Sequence, residues 1–119
     1  ESDAASAVPL NNLCSLVNKL GQHEQALEIC QVAARIWSDT LGQDHPNVAL
    51  VQLNIALVFQ NLRRLNDAIP RLQRVIQIRS TALGPVHRDT VTAMCFYGDA
   101  LEAQYQQAVE EGKAGIGAV

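Results

Sequence analysis

Leu41-Gly42-Gln43-Asp44-His45-Pro46 and Leu83-Gly84-Pro85-Val86-His87-Arg88 lie 42 residues apart and decide the architecture of this chain. Extended without a gap at that offset, the stretch from Ala7 to His45 gives ten identities in 39 pairs. Ordinary residue usage gives about two or three by chance. Asn12/Asn54, Leu20/Leu62, Ala26/Ala68 and Ile36/Ile78 are among the identities, and Leu13/Ile55, Cys14/Ala56 and Val17/Phe59 keep their class. A period of this length with paired apolar positions means stacked units, each too small to bury its own apolar face.

Working outward, each unit holds two helical patterns. Leu13, Leu16, Val17 and Leu20 recur at helical spacing until Gly21 breaks the run. Ala26, Leu27, Cys30, Ala33, Ala34 and Trp37 form the next stripe, with Gly42 expected as a left-handed cap. The second unit predicts helices over about 46–62 and 66–83, with Pro46 in a first turn. Asn66 is the expected N-cap of the latter, which puts Pro70 in or just past its first turn. In the third unit Val91, Met94, Gly98, Leu101, Tyr105 and Ala108 continue one stripe past the point where earlier units turn. One long helix over about 88–111 follows. The expected organisation is an extension over 1–6, repeats over about 7–45, 46–87 and a partial 88–111, and a flexible tail over 112–119. The fold class is all-α, a right-handed solenoid of about two and a half repeats in five helices.

Composition agrees with one folded domain. The chain has 119 residues, 48% hydrophobic and 18% charged, too apolar for a disordered segment. Folding a chain of this size buries roughly 65% of its extended surface. No apolar run is long enough to span a membrane. The first residue is Glu1, which reads as a fragment or a processed chain. Three cysteines do not make a disulfide scaffold, so Cys14 and Cys30, on the facing helices of the first unit, are expected as buried free thiols, with a disulfide between them as the alternative in an oxidising compartment. The compartment expected is the cytoplasm.

The large-xx-Leu-small-xx-aromatic pattern falls on Leu10, Leu13, Cys14 and Val17, then on Gln52, Ile55, Ala56 and Phe59, then on Met94, Tyr97, Gly98 and Leu101. Small residues follow twelve positions later at Ala26 and Ala68. This resembles the tetratricopeptide repeat. The 42-residue period, Asn11-Asn12-Leu13-Cys14, the Leu-Gly-x-x-His-Pro of 41–46 and Ala68-Ile69-Pro70 resemble its kinesin-light-chain type. The resemblance covers about residues 7–104. Leu53, Arg88 and Glu110 depart from the pattern.

The resemblance implies a non-enzymatic adaptor or scaffold whose first helices line a concave groove for a peptide or a helix. Inner-face positions at i, i+4 and i+7 are Asn11, Ser15 and Asn18, then Leu53, Leu57 and Gln60, then Cys95, Asp99 and Glu102. Lys19, Leu50, Asn54 and Asn61 complete the candidate set. An asparagine side chain there offers a peptide backbone both a donor and an acceptor. Lys19 is the one groove cation, and Asp99 and Glu102 repel a carboxylate, which argues against a terminal-carboxylate clamp.

Competing chemistry is thin. There is no phosphate-binding glycine loop, Cys-x-x-Cys or His-Glu-x-x-His, so no catalytic residue, metal site or cofactor is assigned. His45 and His87 sit one repeat apart and read as loop or cap residues; His23 reads as a solvated turn residue. Charge is segregated, +4 over Arg63–Asp89 and −7 elsewhere. Arg64, Arg71, Arg74 and Arg79 read as a solvated face, or else as a patch for an acidic ligand or RNA. Few aromatic residues and the net charge of −3 weigh against nucleic acid. A second reading is self-association as a homodimer. Residues 48–62 are apolar all round, so Leu50, Leu53 and Leu57 are expected to be covered, by a second copy or by the tail around Ile116 and Val119.

Overall fold

A computed structural model describes residues 4–112. A 3₁₀ turn at Ala4–Ser6 leads into α1 (Ala7–Lys19), α2 (His23–Leu41), α3 (Pro46–Asn61), α4 (Leu65–Leu83) and α5 (Arg88–Glu110). Each helix packs on the next, and α1 also touches α3. This is the five-helix repeat solenoid, with α1, α3 and α5 as first helices and α2 and α4 as second helices. Among the described residues there is no strand, and no helix is long and apolar enough to cross a membrane. Ile116 and Val119 lie outside the described residues, so the suggested tail cover does too.

The turns repeat as the sequence does. Gly21 and its equivalent Arg63 both take positive φ, 89° and 62°. In each, the next residue's N–H reaches back five residues: Gln22 to the Val17 carbonyl (3.1 Å) and Arg64 to the Phe59 carbonyl (2.8 Å). That is the Schellman closure of a helix end. The third equivalent, Tyr105, stays inside α5. The longer connections end their helices on Gly42 (φ 91°, ψ 155°) and Gly84 (φ 100°, ψ 152°). The expected left-handed cap is therefore corrected. Positive φ with extended ψ is a region open essentially to glycine alone. His45 then caps α3 by accepting the Asn47 N–H at Nδ1 (3.0 Å), and His87 caps α5 through the Asp89 N–H (3.0 Å). Both histidines are the cap residues expected.

The α4 start differs from the expectation. The helix begins at Leu65, with Arg64 in the cap position, so Asn66 is already inside it and Pro70 is its sixth residue. The buried, apolar Leu65 (3% exposed) becomes the first helical residue, which moves the cap two residues earlier. Pro70 withholds an N–H from the second turn, and its ring lies on the exposed side.

The core is built from small residues at the crossings. Cys14, Ala26, Cys30, Ala33, Ala56, Ala68, Leu72 and Val75 are fully buried. Small side chains let helix axes approach to about 8–10 Å. Helix α3 sits at the centre and buries eight residues around its axis, from Val48 to Phe59. Trp37 seals the α2 side and donates its Nε1–H to the Ala4 carbonyl (2.8 Å). Cys14 and Cys30 are joined in a disulfide, with Cα atoms 5.4 Å apart, which corrects the expectation of free thiols. The crossing that demands small residues also brings the two sulfurs within bonding reach. A structural disulfide of this kind persists in oxidising surroundings.

Candidate functional site: the concave face

The first helices α1, α3 and α5 form one face of the stack. A cleft of about 300 Å³ opens there. From α1 it is lined by Cys14, Ser15, Asn18 and Lys19, and from α3 by Asn54, Leu57, Gln60 and Asn61. Phe96 and Asp99 close it from α5. Eight candidate residues thus meet in one cleft: Ser15, Asn18, Lys19, Asn54, Leu57, Gln60, Asn61 and Asp99. Cys14 and Phe96 were missed. Cys14 is a core residue whose backbone turn borders the cleft. Phe96 holds the place of Asn12 and Asn54 in its repeat, so its signal was positional.

The helix period explains which candidates drop out. On α3 the open face follows Leu50, Asn54, Leu57 and Asn61, each exposed or half-buried. Leu53 lies about 100° around the axis from Asn54, and only 8% of its surface is exposed. Of the expected Leu53–Leu57–Gln60 set, Leu57 and Gln60 line the cleft and Leu53 alone turns away from it. Leu53 is covered by the chain itself, Leu57 is half-buried and Leu50 remains 40% exposed. The cover expected over the three leucines, a second copy or the tail, lies outside the described residues. Asn11 is buried at the same offset on α1 and supports the cleft from beneath. Cys95 and Glu102 are exposed on α5 but do not line the cleft, and neither does Leu50.

Two asparagine pairs bridge α1 and α3. Asn54 donates through Nδ2 to Asn11 Oδ1 (2.8 Å), and Asn61 donates to Asn18 Oδ1 (3.2 Å). His23, the first residue of α2, is held by Asn18 Oδ1 (2.6 Å from Nδ1), so it is half-buried and bonded, not a free turn residue. The Gln60 Oε1 atom is buried without a hydrogen-bond partner. A buried orphan acceptor costs about 1–3 kcal/mol.

The arginine stripe is mostly spent within the fold. Arg63 pairs with Glu110 (3.2 Å), Arg64 with Asp67 (2.9 Å) and Arg74 with Asp44. The guanidinium carbons of Arg64 and Arg71 stand 4.7 and 5.3 Å from the Phe59 ring centre. Arg71 also donates to Gln52 (2.6 Å). Arg79 is 8% exposed and donates to the Asp89 carbonyl (2.9 Å). Burial pushes both the Arg71 and Arg79 guanidinium groups below the usual arginine range, partly offset by Asp67 and Asp89. The expected solvated face is corrected at Arg79, whose alkyl stem fills a core position.

Comparison with known proteins agrees with this architecture. The chain is similar to the crystal structure of a Podosopora anserina kinesin light chain with nearly identical TPR-like repeats, at 23% identity and TM-score 0.77. That match covers 92% of this chain and 53% of the other, so the chain spans about half of its structural neighbour. No curated protein sequence matches the chain. The tetratricopeptide repeat family model matches residues 5–80 and again 48–115. With the period, the small-residue crossings and the helix pairs all in place, the chain belongs to the tetratricopeptide repeat family.

Proposed function

We propose that this chain is a protein–protein interaction module that holds an extended peptide against its concave face. Tetratricopeptide repeats generally mediate protein–protein interaction. The observation that carries the finer reading is the paired asparagines. Asn11/Asn54 and Asn18/Asn61 are seven residues apart on their helices, or about 10.5 Å. Three residues of extended chain cover about 10 Å. Asn11 Oδ1 accepts from Asn54, and Asn18 Oδ1 is shared between Asn61 and His23, which leaves the side-chain carbonyls and the second Nδ2 hydrogens of Asn54 and Asn61 for a peptide backbone. Leu57 and Phe96 give an apolar floor, and Lys19 and Asp99 place opposite charges on opposite walls.

The test is selection from a displayed library of random peptides. Peptides enriched on the wild-type chain should lose at least tenfold in affinity with Asn54→Ala plus Asn61→Ala. Equal enrichment on the variant overturns the groove reading. Leu53→Glu is unsuitable as a groove probe, because it would place a charge at a buried position.

A further inference from the structure

Helix α5 leaves an apolar stripe open along its length. Val91, Met94, Leu101, Tyr105 and Val109 are between 39% and 52% exposed. The repeat offset equates this stripe with the face of α3 that α4 covers: Met94 with Gln52, Gly98 with Ala56, Leu101 with Phe59. Ala56 is fully buried, whereas a Cβ built on Gly98 would meet nothing within 4 Å. Gly98 lies mid-helix without positive φ. Nothing in the described residues requires a glycine there, and glycine weakens a helix interior. What glycine supplies is room for another backbone to come close.

We infer that a second copy of this chain covers the stripe, with the two α5 helices crossing antiparallel at Gly98. Three observations select this occupant. First, the stripe is nearly symmetric about Gly98. Val91 and Tyr105 stand seven residues to either side, and Met94 and Leu101 four and three. Antiparallel pairing sets Val91 against Tyr105 of the second copy and Met94 against Leu101, so the face complements itself, as a two-fold interface requires. Second, the residues of the stripe are themselves uncharged, and of the charges near its ends Arg88 approaches acids of the other copy only in this orientation. With Gly98 against Gly98, Arg88 of one copy comes level with Ala108 of the other, within one helical turn of Glu110 and Glu111, whereas parallel pairing would set Arg88 against Arg88. Third, length decides against the other open face. The exposed Val8, Leu13 and Leu16 of α1 and Leu20 at its C-cap span about 18 Å, against about 27 Å from Val91 to Val109. Docking α1 on α5 would leave part of the stripe bare and would not close the assembly. One helix face per copy is a small interface, which fits a dimer of micromolar affinity.

Light scattering on the full chain tests this. At about 100 µM the mass should approach twice 12.9 kDa and fall on dilution. Gly98→Leu and Leu101→Glu should each keep the chain monomeric at that concentration. Gly98→Leu should also melt no lower than wild type at high dilution, since it fills open space and improves the helix. In a Cys95→Ser background, chains carrying V91C should cross-link to chains carrying Y105C and neither to itself. A wild-type monomer throughout, self-association that survives Gly98→Leu, or one broken by Leu16→Glu instead would overturn the proposal. Asn54→Ala plus Asn61→Ala should leave the mass unchanged, which separates this test from that of the groove.

Discussion

Helices α3 and α5 occupy equivalent places in successive repeats but have opposite surroundings. α3 is enclosed by α1, α2 and α4, and buries residues on every side. α5 packs on α4 and buries Thr90, Ala93 and Ala100. The same pattern of residues therefore builds core in one helix and leaves surface in the other. A repeat position acquires its energetic meaning from its neighbours, and equivalent substitutions in the two helices should have unequal effects.

The largest contrast is expected at Phe59 and Leu101. Phe59→Ala should cost about 3–5 kcal/mol, because the ring is 4% exposed and stacked under two guanidinium groups. Leu101→Ala, at 39% exposure, should cost about 1 kcal/mol or less in dilute solution. Urea denaturation of the pair measures the difference, and equal costs would break the comparison. Next comes the disulfide. Cys14→Ala with Cys30→Ala should lower stability by about 3 kcal/mol, from the loop the bond closes. Adding reductant to the wild type should give a similar loss, read from the thermal midpoint. At the small-residue crossing the sign should reverse between repeats. Ala56→Leu should destabilise by about 1–3 kcal/mol through overpacking against α4. Gly98→Leu should stabilise by up to about 1 kcal/mol under the same dilute conditions. The smallest effect is expected at the turn. Arg63→Gly relieves a left-handed backbone worth about 1 kcal/mol, but removes an exposed ion pair worth about 0–1 kcal/mol. A net gain of a few tenths in denaturation midpoint is the outcome that fits.

Much of this was legible in the sequence because repetition doubles each signal. The helix pairs, the single long α5 and the histidine caps could all be read from positions that recur at one offset. The cleft was legible in part, since a linear pattern gives the face of a helix only to within one residue. That margin moved Leu53 from core to groove and left Phe96 unnoticed. The Cys14–Cys30 bond was not legible, because two buried cysteines on facing helices suit either state until their separation is known. Arg79 misled for a related reason. Its charge suggests solvent, but its stem packs as an apolar chain while one backbone carbonyl takes the head group.

The disulfide also has a mechanical consequence. A stacked-helix array bends as a spring, by small rotations shared among its joints. Here the joint between α1 and α2 is covalently clamped, whereas the α2/α3, α3/α4 and α4/α5 joints are held by packing and hydrogen bonds. Strain imposed by a bound ligand must then be taken up toward the α5 end. The α1 wall of the cleft acts as the fixed jaw and the α5 wall as the moving one. Amide exchange should record that asymmetry as slower opening in α1 and α2 than in α5, and reduction of the bond should remove it.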